Sequence, residues 1–521
     1  MGSVETGWPR LGATQTGAGE VDFKVWAPAA TTVAVRLADG QHPLTQLADG
    51  VFAGSAAARA GDEYGYVIDG GEARPDPCSR SQPLGIRGPS EVVDASAFEW
   101  TDGGWSGLSL EELVIYELHV GAFSEGGTFD AAIDRLPALR ELGVTAVEVM
   151  PIATFPGERN WGYDGVYAYA PHPAYGGPHG FARLVDAAHA AGLGVILDVV
   201  YNHIGPGSEA IAAYGPYFTS RFQTFWGDAL DYAQRGVREW AIQNAEMWVR
   251  DYHVDGLRLD ATHAIFDDSD PHILAELANR VRAIAPHALV TSEMETGDLR
   301  PIEEWGHDAQ WADEFHHVLH VLLTGEREGY YADYRPSVAD LAAQLERTPP
   351  ERLIVCSQNH DQVGNRALGD RPKPDELRLR AAALLFAPQT PLLFMGEEYG
   401  EQRPFQFFTD HIDPAIADAT REGRRREFEK FAAFSGEDVP DPQDPATFER
   451  SKLRPDAGEA GLLAFYQELL ALRRELPREM TVAADDDAGL LRVRRGTVEL
   501  VLNFSDRERE GVPARGALLR A

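Results

Sequence analysis

The chain has 521 residues, 44% hydrophobic and 25% charged, which suits a globular protein and excludes wholesale disorder. That length fits two or three domains, or one large enzyme barrel with appendages. Acids outnumber bases 82 to 47, for a formal net charge of -35. Such a surface repels phosphate backbones and anionic lipid, so neither nucleic acid nor membrane is an expected partner; a neutral sugar is not disfavoured.

The first stretch, 1 to 19, is rich in Gly and Thr and lacks an apolar signal core. Nowhere does an apolar run approach the ~18 to 20 residues a membrane span needs. Two cysteines, Cys78 and Cys356, cannot build a disulfide framework, and Cys356 follows Leu353-Ile354-Val355 as a buried strand residue would. A cytoplasmic location is expected.

Residues 1–95 alternate in short extended runs, such as Val21 to Trp26, Thr32 to Leu37 and Tyr64 to Ile68, punctuated by Gly, Asp and Pro. This period of two with frequent turns predicts a β-sandwich. The Pro/Ser/Gly-rich segment Arg74 to Pro89 reads as a linker or surface loop.

From 96 to 455 the texture changes. Eight short apolar runs begin at Leu113, Val144, Leu193, Gly256, Leu289, Ala309, Leu353 and Pro391, with helical stretches such as Phe181 to Ala191 and Val237 to Tyr252 between them. Near-continuous apolar runs alternating with helices mean a parallel sheet buried on both faces, and eight of them predict an α/β fold, a (β/α)8 TIM barrel. No glycine-rich phosphate fingerprint follows the first run, which argues against a dinucleotide fold. The Asp/Pro-rich stretch Glu437 to Asp456 is expected to leave the barrel. Residues 456–521 then give a helix, Ala460 to Leu476, and alternating runs from Leu490 and Val498, a small C-terminal antiparallel β domain.

Barrel chemistry sits at the carboxyl ends of the strands. The third run ends in Asp198 and leads to Asn202 and His203; the fourth ends in Arg258 and Asp260, followed by His263. The fifth ends in Glu293, the sixth in Asp313 with His316 and His317 beyond, and the seventh leads into Asn359, His360 and Asp361. A lone Asp after a strand is usually a cap or an ion-pair member. Five strand ends carrying acids or imidazoles point to one shared rim. Several carboxylates with no metal-ligand spacing suit glycoside hydrolysis, in which one carboxylate attacks the anomeric carbon and another acid protonates the leaving oxygen. Arg258 and Asp260 share a strand face, and the guanidinium keeps Asp260 ionised as a nucleophile requires. Glu293 has the opposite requirement, to carry a proton near neutrality. Trp161, Tyr163, Tyr167, Tyr169, Trp226, Phe405, Phe407 and Phe408 could offer planes to sugar rings, with ordinary packing the competing reading.

The segments Asp198 to His203, Gly256 to His263, Glu293 and Gln358 to Asp361 resemble, in order, the four signature regions of the α-amylase family of glycoside hydrolases. Tyr116 to Phe123, Trp161 to Val166, His320 to Gly325, Phe394 to Tyr399, Phe405 to His411 and Asp444 to Lys452 are similar to its trehalose-releasing members, and the likeness covers essentially the whole chain. The resemblance implies Asp260 as nucleophile, Glu293 as proton donor and Asp361 as transition-state stabiliser. It implies that Arg258, His203 and His360 grip the sugar at the cleavage site, that Tyr163 stacks on it, and that Asp313, His316 and His317 lie in adjoining subsites; Trp161, His263 and Asn359 are further substrate-binding candidates. It further implies a retaining mechanism, with carboxyls ~5 to 5.5 Å apart. The implied substrate is malto-oligosyltrehalose, supplied by a malto-oligosyltrehalose synthase, and no cofactor is expected. No metal is expected either: calcium wants six or more oxygen ligands, and no such set assembles near Asn202. Glu295, two residues past Glu293, is a second donor candidate. Two other readings stand beside the hydrolase. A glucan-branching transferase would share the triad, but the Phe405 and Asp444 motifs argue against it. A catalytically inactive glycan-binding barrel would usually have lost one of the three carboxylates.

Overall fold

The computed structural model describes residues 8–17, 19–224, 227–295, 297–428, 439–455 and 458–520; Trp226 lies outside them. Near the N-terminus two antiparallel sheets form. One holds strands Gly12–Gly17, Glu20–Trp26, Thr45–Gln46 and Val51–Ala56, and the other Val33–Leu37, Gly40–Pro43, Glu63–Ile68 and Ala73–Arg74. Val21, Phe23 and Val25 on one sheet and Val33, Val35 and Leu37 on the other are buried at alternate positions, the period-two pattern of the sequence made physical.

All eight apolar runs become strands of one closed parallel barrel: β1 (Ile115–Leu118), β2 (Ala146–Val149), β3 (Gly194–Val199), β4 (Gly256–Leu259), β5 (Leu289–Ser292), β6 (Ala309–Trp311), β7 (Leu353–Cys356) and β8 (Thr390–Phe394), with β8 paired to β1. Most strands divide their residues between two cores. Ile115, Ala146, Ile196, Leu289, Ala309, Trp311, Ile354, Cys356 and Leu392 meet as one plug. Their neighbours Tyr116, Val147, Val195, Leu197 and Val355 belong instead to the larger core shared with the helices. By the period of two, the residues one step further in the inward phase are Glu117, Glu148, Asp198 and Thr291, and Asp313 follows just past the end of β6. An apolar plug therefore carries a polar floor, and the carboxyl ends of the strands stand above it.

Helix Arg235–Asp251 is buried along nearly its whole length, because it lies between the barrel and the N-terminal sheets. Trp26 packs so closely on Gly236 that a Cβ there would lie 2.1 Å from the indole. The expected linker, Arg74 to Pro89, is corrected by the structure: Pro75 to Gln82 are buried in this joint. The segment is irregular, so its backbone has no ladder. Barrel side chains supply the donors instead: Tyr214 to the Pro75 carbonyl (2.8 Å), Trp240 to Pro77 (3.2 Å) and Tyr167 to Ile86 (3.3 Å). The expected departure of Glu437 to Asp456 is also corrected over its described part. Thr409 N–H donates to the Pro442 carbonyl (2.8 Å), Gln406 N–H to Ser451 Oγ (3.0 Å) and Leu453 N–H to the Ala122 carbonyl (3.0 Å), so the segment folds back onto the barrel.

At the C-terminus, helix Leu462–Glu475 precedes a four-stranded antiparallel sheet, Met480–Asp485, Leu490–Arg495, Val498–Asn503 and Gly516–Arg520. Its Leu491, Val493, Leu500 and Leu502 pack against Phe315, Leu345 and Phe386 of the barrel helices.

Candidate active site

One side chain organises the rim. Arg258, fully buried on β4, stacks its guanidinium 4.2 Å over the Trp311 ring and spends Nη1 and Nη2 on three carboxylates. Nη1 donates to Asp198 (2.9 and 3.1 Å) and Asp260 (2.7 Å), and Nη2 to Glu293 (2.8 Å). A planar fork is suited to this; an ammonium is not. Asp260 is held again on its other oxygen, where Asn202 Nδ2 donates at 2.7 Å. Its neighbour Ala261 takes φ 39°, a left-handed turn that aims the Ala261 N–H at Glu293 Oε2, 2.9 Å away. Among the described residues, both donors to the Glu293 carboxyl therefore fall on Oε2. Glu295 is exposed and makes none of these contacts.

The opposite wall is built from β1, β7 and the loop after β2. His360 N–H and Nδ1–H both donate to Glu117, at 2.8 and 2.5 Å. Its Nε2 donates to Tyr163 Oη (2.8 Å), which passes a hydrogen bond on to Asp198 (2.7 Å). Asp361 Oδ2 lies 3.5 Å from the same Nε2, and Asn365 holds the other Asp361 oxygen at 2.8 Å. Burial would lower the His360 pKa, yet Asp361 and Glu117 outweigh it and raise it to about 10, so the imidazole is a cation at neutral pH. Burial pushes Asp198 up to about 7 against the pull of Arg258. Asp313 rises to about 8, through burial and then the fields of Glu293 and Asp361, which places it in the same ring of acids.

The other candidates divide. Asn359 is buried and caps helix His360–Gly364, accepting from Gln362 N–H at 2.7 Å. His203 Nε2 donates to the Tyr163 carbonyl (2.8 Å), fixing the loop that carries Tyr163, and burial lowers its pKa. Trp161 is buried behind His360, edge-on at 5.8 Å, with its face on Phe405 at 5.2 Å. Tyr167, Tyr169, Phe405 and Phe408 are likewise buried, so packing wins for them; Tyr163 and Phe407 keep partial exposure. His316 is buried between the Ser357 carbonyl (2.8 Å) and Tyr331 Oη (3.1 Å), and His317 meets Tyr334 (3.1 Å); burial carries His317 down to about 4. His263 is exposed on the turn Thr262–Ala264. Sequence reasoning missed Glu117 and the site role of Trp311. Both were signalled by inward phase within an apolar run. Beside Asp361 a cavity of about 400 Å³ opens between Tyr330, Tyr331, Arg366 and Glu326. Among the described residues no cluster of three or more His, Cys, Asp or Glu is placed to hold a metal ion.

A closed parallel barrel whose strand ends converge acids on one guanidinium, preceded by a β-sandwich, defines the class: a glycoside hydrolase of the α-amylase type. Residues 94–214 match the family "Alpha amylase, catalytic domain", and residues 10–81 match "Carbohydrate-binding module 48 (Isoamylase N-terminal domain)". A malto-oligosyltrehalose trehalohydrolase of Deinococcus radiodurans is 44% identical, covering 95% of this chain and 89% of that protein. The crystal structure of a candidate alpha amylase from Salmonella typhimurium superposes with a TM-score of 0.89 at 39% identity, over 98% of this chain and 99% of that one. A 1,4-alpha-glucan branching enzyme of Corynebacterium jeikeium is more distant, 28% identical over 77% of this chain and 63% of its own length. The chain belongs to the malto-oligosyltrehalose trehalohydrolase family.

Proposed function

We propose that this enzyme hydrolyses the α-1,4 bond next to the terminal trehalose of malto-oligosyltrehalose, with retention, releasing trehalose and a shortened glucan. The observation that carries the reading is the single guanidinium that grips both Asp260 and Glu293, so that one sugar can meet both carboxyls. Asp260, gripped by Arg258, attacks C1 while Glu293 protonates the departing trehalose oxygen. The glycosyl–Asp260 ester is then hydrolysed by a water that Glu293 deprotonates. Asp361, beside the His360 cation, holds sugar hydroxyls and favours the oxocarbenium-like transition state.

The branching transferase would pass the same ester to a sugar hydroxyl instead of water. Product analysis separates the readings. Trehalose released from malto-oligosyltrehalose, with little action on maltohexaose, supports the hydrolase; new branch points would sink it, and absence of any turnover would favour an inactive glycan-binding barrel. The expected setting is the cytoplasm, with a malto-oligosyltrehalose synthase upstream, coupled by metabolite flow. Two free buried cysteines suit that setting, and among the described residues no helix is long and apolar enough to cross a membrane.

A further inference from the structure

The polar floor holds one group that the reaction does not use. Glu148 on β2 follows Ala146 in the inward phase, and the β1–β2 register sets it directly against Glu117. It is 1% exposed, and neither of its carboxyl oxygens has a hydrogen-bond partner among the described residues. The charged groups that face it come from four elements: Glu117 on β1, Asp198 on β3, Arg258 on β4 and His360 after β7. Two of these are acids. The two cations are committed elsewhere, Arg258 Nη1 and Nη2 to Asp198, Asp260 and Glu293, and His360 to Glu117, Tyr163 and Asp361. A buried carboxylate with no donor and an acid neighbour takes up a proton rather than stay charged.

We propose that Glu148 is a positioning residue, a carboxylic acid that keeps its proton at neutral pH so that Arg258 and His360 stay committed to the catalytic carboxylates above them. Burial, and then the field of Glu117, press the same way, raising its pKa well above the carboxylate range. An ionised Glu148 would draw on the charge of Arg258, which acts on it across the floor. It would equally draw on His360. Either pull weakens the hold on Asp260, Glu293 and Asp361. The positioning role rests on the hydrolase reading, whereas the protonation state is measured on free protein and stands apart from it.

Two measurements on wild type and Glu148→Gln test the idea. Infrared difference spectra at neutral pH are expected to show the carbonyl stretch of a buried protonated carboxylic acid that is lost in the variant. Nitrogen NMR of labelled histidines is expected to leave the His360 titration where it was, because one neutral group has replaced another. An ionised Glu148 would instead drop the His360 pKa by ~1 to 3 units on substitution. Absence of the lost band, or such a drop, overturns the proposal. So does a Gln variant that cannot fold, since a neutral amide of the same shape should fit where a protonated acid sits.

Discussion

Replacing Glu117 with glutamine removes one buried charge from β1, and its effect should appear at His360. Both Glu117 oxygens are engaged there, at 2.5 Å from Nδ1 and 2.8 Å from the backbone N–H. With burial opposing and Asp361 and Glu117 raising, the imidazole reaches about 10 from its ordinary 6.5, on the order of 5 kcal/mol in favour of the cation. Losing one of the two carboxylates lowers that value by ~1 to 3 units, to roughly 7 to 9. The raised pKa gives a stability contribution that is complete below 6.5 and fades as pH rises through 10 in the wild type; in the variant it should fade through roughly 7 to 9 instead. Histidine NMR follows the ring directly, and kcat on malto-oligosyltrehalose follows its consequence. With a variant pKa near the middle of that window, kcat should be about tenfold lower at about pH 9 than at neutrality, while the wild type still holds the cation. If His360 titrates within about half a unit of its wild-type value in Glu117→Gln, the electrostatic account of this wall is wrong.

Asp260→Asn and Glu293→Gln should each lower kcat on the order of 10⁴-fold with the fold intact by circular dichroism, while Glu295→Gln should change little; the opposite ranking of the two glutamates would move the donor to Glu295. Arg258→Lys keeps the charge but cannot span Asp198, Asp260 and Glu293 at once. At ~1.5 to 3 kcal/mol for each of two lost charge-assisted bonds, kcat/KM should fall by ~10² to 10⁴, and a loss below about tenfold would refute the bridging role. Activity should survive exhaustive chelation, because the Asn202 amide is engaged by Asp260 and His203; a loss restored by calcium would overturn this.

The barrel was legible because its strands are buried on both faces, which forces apolar runs that no surface element needs. The acids at their ends stood out against those runs for the same reason. Glu117 was equally visible as a charge inside the first run, but only phase relative to Ile115 tells which face it takes. The aromatic residues could not be sorted from sequence: Trp161 and Tyr163 are two residues apart, yet one is packed behind His360 and the other lines the opening. Pro- and Asp-rich composition misled twice, at Arg74 to Pro89 and over the described part of Glu437 to Asp456. Composition reports the absence of a backbone ladder; it is silent on whether side chains from elsewhere satisfy that backbone.

The joint around Pro75 to Gln82 has an evolutionary corollary. A tethered accessory module can be lost or exchanged by cutting its leash, but here Trp26 is seated on a barrel glycine and three barrel aromatics hold the carbonyls of the crossing segment. Recombination that swapped the leading sheets alone would strip the long helix Arg235–Asp251 of its covering and leave those hydroxyl and indole donors stranded. Sandwich and barrel should therefore be inherited as a single unit.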